Sequence, residues 1–456
     1  MKRRVAVLLF AVLAAVGLSV GPARGATALV VDDDTGGRCV FGDRDYSTIQ
    51  AAVDEAASGD LIRVCPGTYI ETVVVAKKRL TIKGAKAGVD ARWRTGTNGE
   101  SIVTIDPDAV PPDPEAPDGL VQLRADNITW DGFLIADNTF GPGISTSPDA
   151  SGYEIRNTIF NDNGLGLYLH SKGERRTNVR RNRFHANNEF EQPGAGTGIY
   201  SELGARCILI ADNLFEKHNE AGILFADSVQ KSCIWVERNK SIDDRSFATF
   251  FASSHLHLTA NTVRSNRPGD LTHGSAIFIG ARNKHVVVLR NHIKSTDGNG
   301  IDVRDTSASD TLGEAPPQKV DILRNKVRNS KQNGIDVAAS GVKQYVVRGN
   351  NASGNGVGIH VGPETHGVGP ETADAFLANN IARGNTVLDC QDTTKGDGTA
   401  GTDNTWRNNA GNSDQPDGIC HPHRRTADPG HHHGKPKPHK KKKHPKRCFP
   451  MGVRAI

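Results

Sequence analysis

The chain has 456 residues, 36 % of them hydrophobic and only 5 % aromatic, and a formal net charge of +5. That charge is unevenly placed: Lys2, Arg3, Arg4 and Arg24 fall in the first 28 residues, and from His421 onward eleven Lys or Arg stand against Asp428 alone, so the body between is acidic. An acidic body excludes a uniformly basic nucleic-acid binder, and past the first residues no stretch is apolar enough for a polytopic membrane protein.

Lys2, Arg3 and Arg4 precede an apolar run from Val5 to Val20, and Ala26-Thr27-Ala28 offers a small-x-small cleavage site. This is the pattern of a secretory signal peptide over residues 1–28, so a secreted, extracellular protein is expected. In an exported chain, seven cysteines point to disulfides. Cys39 with Cys65 and Cys390 with Cys420 are plausible bridges. Cys207 and Cys233 open equivalent strands of neighbouring repeats, where they either bridge or stack reduced. Cys448 has no evident partner.

Ser47-Thr48-Ile49-Gln50 reads as a capping box that opens a short helix to about Ala57, with Ile49, Ala52, Val53 and Ala56 as its apolar stripe. Strands follow at Leu61–Val64, Thr72–Val75 and Leu80–Ile82, with a turn at Pro66–Tyr69. The helix would cover the open end of whatever the strands build. From Asp131 the chain then repeats one phrase, a strand on each side of an Asn and later a Gly-Ile-x-Val strand. Its clearest copies end in Gly300-Ile301-Asp302-Val303 and Gly334-Ile335-Asp336-Val337. The middle position is held by Asp131, Asn157, Asn182, Asn213, Asn239, Asn261, Asn291, Asn325 and Asn350, at spacings of 22 to 34 residues. A unit of this size cannot bury its own apolar face, so copies must stack, and the Asn side chains should form a structural ladder. The irregular spacing suits coils of three short strands joined by turns of variable length.

The expected fold is all-β: a right-handed, single-stranded parallel β-helix over residues 29–420. It comprises a cap over about 29–85, repeats over about 120–390 and a segment 390–420 closed by a disulfide. Insertions at Asn188–Thr197, Arg267–Gly274, Thr306–Gln318 and Gly362–Asp374 flank the Gly-Ile-x-Val strands and would wall a groove over them. Residues 421–456, rich in His, Lys and Pro, can form no core and should be a disordered basic tail.

The opening Tyr46-Ser47-Thr48-Ile49-Gln50-Ala51-Ala52-Val53, with Gly59-Asp60-Leu61-Ile62-Arg63-Val64 and Pro66-Gly67-Thr68-Tyr69, resembles the entry segment of pectin methylesterases and related proteins. With the Asn-centred repeats, the chain resembles the pectate-lyase superfamily of right-handed parallel β-helices. The resemblance implies the fold and a carbohydrate-active hydrolase or polysaccharide lyase as the enzyme class. The chain lacks the Asp-Pro-His-Asp of mannuronan epimerases and the signatures of pectin methylesterases. Thr296-Asp297-Gly298 is similar to one polygalacturonase motif, without the companion motifs of that family.

Function must then be read from the outward positions. In Gly-Ile-x-Val the Ile and Val face the coil interior, so x faces out. Along the stack x reads Ser145, Tyr168, Tyr200, Leu224, Phe250, Phe278, Asp302, Asp336 and His360, and the next outward position includes His170, Glu202 and Arg304. Tyr168, His170, Tyr200, Glu202, Phe250 and Phe278 form the expected substrate-binding strip, since aromatic faces stack on sugar rings. Asp302 and Asp336, on adjacent coils roughly 5 Å apart, form the expected catalytic pair, or a site for Ca²⁺, with Arg304 and His360 beside them. The expected partners are a polysaccharide on this face and a polyanionic wall polymer or anionic lipid head groups on the tail of a monomer. Nucleic acid is disfavoured by export. The competing expectation is a non-catalytic surface, adhesion or wall-binding module.

Overall fold

The computed structural model describes residues 28–33, 39, 45–106, 118–188, 194–226, 232–264, 274–294, 296–305, 315–338, 344–362 and 374–422. The expected signal segment, most of the four insertions, Cys448 and the basic C-terminal residues from 423 lie outside the described residues.

Each coil contributes three short strands. In one coil these are Glu154–Arg156, Ile159–Asn161 and Leu165–Tyr168. Equivalent strands of successive coils pair in parallel, which gives sheets of 14, 12 and 13 strands along one axis. The result is the expected parallel β-helix, with the right-handed connection that parallel crossovers take. The alternation anticipated from the sequence holds: Ile301 with Val303, Ile335 with Val337 and Ile359 with Val361 are buried in one core that runs the length of the coil.

The asparagine ladder is continuous from Asn182 through Asn213, Asn239, Asn261, Asn291, Asn325, Asn350 and Asn380 to Asn409. Each Nδ2 donates to the next Oδ1 at 2.9–3.1 Å. It also donates to a carbonyl of the preceding coil at 2.8–2.9 Å. The residue before the Asn turns the corner with positive φ, as at Arg181, Asp212, Arg238, Ala260, Arg290 and Arg324. Side-chain bonds from the Asn satisfy backbone groups that this corner would otherwise leave orphaned.

Two predicted members fall out of the ladder. Thr158 N donates to Asn182 Oδ1, so Thr158 holds the rail position, and Asn157 is the left-handed corner residue before it. Asp131 pairs in register with Arg156 and accepts from Asn157 Nδ2 at 2.7 Å. A second rail at the next corner went unread in the sequence. Asn163 Nδ2 donates to Asn187 Oδ1, Asn187 Nδ2 meets His218 Nε2 at 3.2 Å, and His218 Nδ1 donates to Asp244 Oδ1 at 2.7 Å, all fully buried.

The helix spans Ile49–Glu55 with Thr48 as N-cap. The predicted Ser47–Gln50 capping box does not form: Thr48 caps Ala51 N instead, Gln50 turns away to accept from Val74 N, and Glu71 accepts from Ile49 N and Gln50 N at 2.7 and 2.9 Å. The Pro66–Tyr69 turn is corrected: Gly67–Ile70 is the first strand of the 12-stranded sheet. Disulfides join Cys39 to Cys65 and Cys390 to Cys420, which fits an oxidising compartment. The bridge between Cys207 and Cys233 does not form, since Cys207 is a free thiol. Among the described residues no helix is long and apolar enough to cross a membrane.

Candidate functional site

The outer face of the 13-stranded sheet carries the x positions in register, Ser145 beside Tyr168, Tyr168 beside Tyr200 and Tyr200 beside Leu224. The row continues through Thr249, Phe278, Asp302, Asp336 and His360. Phe250 is therefore corrected. It pairs with Phe225 and Ile279 and is wholly buried in the core, with Thr249 taking the outward place. Strand alternation has a period of two, so a one-residue displacement moves a side chain from one face to the other. Phe278 is outward but packs against Phe251, ring centroids 5.6 Å apart, and only 7 % of its surface is exposed.

The predicted residues gather at two centres four rungs apart, roughly 19 Å along the axis. At the first, the Tyr168 and Tyr200 rings stack with centroids 5.8 Å apart, and both hydroxyls donate to the Glu202 carboxylate at 2.6 and 2.7 Å. The rings are mostly covered, at 8 % and 4 % exposure, so they are walls of this centre and not an open stacking platform. Burial, then the bond to Glu202, holds both phenols far above the usual tyrosine range. His170 packs edge-on against Tyr168. Its Nδ1 lies 3.2 Å from the Thr146 carbonyl, which can only accept, so the proton sits on Nδ1 and Nε2 is an acceptor. That Nε2 is buried and has no hydrogen-bond partner among the described residues. Burial holds the imidazole below its ordinary value against the opposing pull of the Thr146 bond and Glu202, so His170 is neutral at pH 7. Tyr168, His170 and Glu202 line an open cleft of about 510 Å³ with Asp118, Arg124 and Ser145 to Ser147, rimmed by the exposed Leu203.

The second centre is closed. Asp302 and Asp336 are 2 % and 4 % exposed and share Asn299, whose Nδ2 donates to both at 2.9 and 3.0 Å. Ser275 Oγ donates to Asp302 at 2.7 Å, and Arg304 Nε donates to Asp302 at 2.8 Å while its Nη2 stands 3.6 Å from Asp336. His360 Nδ1 bonds Asp336 at 2.7 Å. Burial and the neighbouring Asp336 push Asp302 upward, with Arg304 offsetting only part. Burial would raise Asp336 too, but His360 and then Arg304 outweigh it and hold that carboxyl low. His360 is held above its ordinary value because the Asp336 bond outweighs desolvation. The set does not fit Ca²⁺, which takes six to eight oxygens: a guanidinium already lies against both carboxylates, Asn299 donates to both, and Ser275 and His360 bond Asp302 and Asp336 in turn. A separate donor cluster among the described residues, Asp32 with Cys39 and Cys65, has its sulfurs tied in the disulfide.

Ser275, Asn299 and Thr146 were missed from the sequence. Asn299 had a legible signal, because Asn-Gly-Ile-Asp-Val occurs twice with the Asn three residues before the Asp. Thr146 and Ser275 belong to other coils and had none.

A family model described as a right handed beta helix region matches residues 118–279 and 194–368. Among solved structures, the catalytic unit of a GH87 alpha-1,3-glucanase from Streptomyces thermodiastaticus is similar at 14 % identity, over 86 % of this chain and 70 % of that one, with a TM-score of 0.47. The A-module of the mannuronan C-5 epimerase AlgE4 from Azotobacter vinelandii is similar at 12 % identity over 84 % and 95 %, with a TM-score of 0.41. A family 28 exopolygalacturonase from Yersinia enterocolitica is similar at 11 % identity over 85 % and 78 %, with a TM-score of 0.35. No curated protein matches the chain.

Proposed function

The chain belongs to the right-handed β-helix family, and on that premise we propose that it is an exported protein that binds a polysaccharide in the cleft beside Tyr168, His170 and Glu202. The observation that carries this reading is the partnerless Nε2 of His170. A buried acceptor at the edge of an open cleft costs about 1–3 kcal/mol when unmet, and a sugar hydroxyl is a donor of the right chemistry to meet it. Glu202, held from below by two tyrosine hydroxyls, keeps further lone pairs for sugar hydroxyls, and Leu203 offers apolar surface to a pyranose face. Asp118 is paired with Arg124, which leaves Glu202 as the uncompensated charge. The cleft therefore favours a neutral glycan over a uronate.

Isothermal titration against a panel of neutral and acidic polysaccharides tests this. Binding of a neutral glycan that is weakened about tenfold in His170→Ala and weakened in Glu202→Gln, with the thermal transition retained, is expected; a panel without binding, or binding indifferent to both substitutions, overturns it. A second reading, cleavage at the closed centre, is favoured by one observation: two adjacent carboxyls are driven in opposite directions, the usual preparation for an acid and a base. Reducing ends or unsaturated products released from the same panel, and abolished by Asp302→Asn and Asp336→Asn, would support it. Unchanged release in both variants would remove these residues from the chemistry.

A further inference from the structure

The outer face of the 12-stranded sheet changes character along its length. In its earlier coils charges are paired, as Arg183 is with Glu216 on the next rung at 2.8 Å. Three later rungs, Thr262–Arg264, His292–Lys294 and Lys326–Arg328, break that habit. Their middle residues Val263, Ile293 and Val327 are fully buried, so the flanking side chains must point out. Register aligns Thr262, His292 and Lys326 in one column and Arg264, Lys294 and Arg328 in the other. Neighbours within a column are about 4.8 Å apart.

Apart from the half-covered Thr262, these outward side chains are exposed, and among the described residues no ion pair reaches Arg264, Lys294, Lys326 or Arg328. Arg290 and Arg324, exposed at the corners leading into two of these strands, add to the same side. Like charges on adjacent strands are destabilising, and the inward valines and isoleucine already supply the packing. The clustering therefore has no structural benefit. It also lies on a body whose overall charge is acidic. Between the columns runs an open trough of about 660 Å³, lined by Thr262, Arg264, His292, Lys294, Arg328 and Asn329.

We propose that this trough binds a linear acidic polysaccharide lying along the coil axis, with its carboxylates or sulfates on Arg264, Lys294 and Arg328 of one column and on Lys326 of the other. The column of Arg264, Lys294 and Arg328 carries one cation per rung, which suits an extended polymer carrying one charge per sugar ring. Duplex nucleic acid is matched less well, since it presents about one charge per 1.7 Å on a curved surface. The site is on a different sheet from the Tyr168 cleft and does not depend on it. His292 is a built-in reporter. Partial burial, then Lys326, Arg328, Arg264 and Lys294, holds its imidazole below the ordinary value, and a bound polyanion would offset those cations and raise it.

The test uses the full chain with Lys440–Lys443 changed to Gln, so that the tail does not mask the face, and the triple variant Lys294→Gln, Lys326→Gln, Arg328→Gln in that background. The probes are polygalacturonate, chondroitin sulfate and a short DNA duplex at several salt concentrations. The expected result is at least a tenfold loss of affinity for the acidic polysaccharides in the triple variant, a shallower salt dependence, and an upward shift of the His292 titration on binding. Neutral-glycan binding in the cleft should be unchanged in the triple variant, and His170→Ala should leave polygalacturonate binding unchanged. Affinity that is indifferent to the triple variant, or a His292 titration that does not move, overturns the site. Tighter binding of the duplex, lost in the same variant, overturns the choice of ligand.

Discussion

Two stretches of one sheet face, built from the same repeat position, treat their polar groups in opposite ways. At the Asp302 and Asp336 end the ionisable side chains answer one another: Arg304, Asn299, Ser275 and His360 meet both carboxylates, and the centre is nearly sealed. At the Tyr168 end two phenols donate to Glu202, while His170 keeps an acceptor that nothing among the described residues meets, beside an open cleft. A perturbed titration marks a buried charge network as readily as a working site. His170 differs from the other buried polar atoms left unmet among the described residues in lining an open cleft together with a carboxylate, where a ligand can reach.

Substitutions should separate the two ends, beginning with the largest effect. Arg304→Met removes the cation between two buried carboxylates and should cost about 3–5 kcal/mol, read as a lower urea midpoint; a loss under 1 kcal/mol would mean that the centre is open to water or ion. Within the same centre Asp336→Asn should cost about 2 kcal/mol, since an ionised acceptor of two charged donors is lost. Asp302→Asn should cost less, because that carboxyl is pushed toward its neutral form. The reverse order would invalidate the assignment of charge within the pair. At the open end, His170→Ala should weaken glycan binding about tenfold, near 1.4 kcal/mol.

The smallest effects are those of pH. Asp336 is held low, so its contribution is full above the unfolded value near 4 and is lost as pH falls through the folded one; His360 is held high, so its contribution is full below about 6.5 and is lost as pH rises through the folded value. Their pairing should thus stabilise most between about pH 4 and 6.5, and His360→Gln should flatten the stability profile above that window. His170 behaves oppositely. Its folded value is lowered, so stability and glycan affinity should both decline as pH falls below about 6.5. A glycan affinity that rises on acidification would show that Nε2 is not the acceptor.

Much of the scaffold was legible because it is local and periodic. Ile301 and Val303 had to face inward once the strand was recognised, and the asparagine at each corner announced a ladder. The exceptions have physical causes. Asn157 and Asp131 looked like ladder members by residue type, but only interstrand register shows that Thr158 holds the rail. Phe250 was misplaced by a single residue in a coil that lacks the Gly-Ile phrase, Phe247-Ala248-Thr249-Phe250 standing in its place. The pairing of Cys207 with Cys233 was allowed by strand spacing but is not made.

The sequence by itself therefore determined the coil, its three-strand rhythm, its capping helix, two of its disulfides and all but one place in the row of outward positions, since each depends on a pattern within one or two repeats. Whether an outward residue is sealed or open, and what meets it, was decided only by the tertiary structure. Asn299 reaches a carboxylate on the next coil, Thr146 orients a histidine on the next, and the three basic rungs become one face only after stacking. Such relations are set by register between coils and by what covers each strand, and neither is written in the residues of any single repeat.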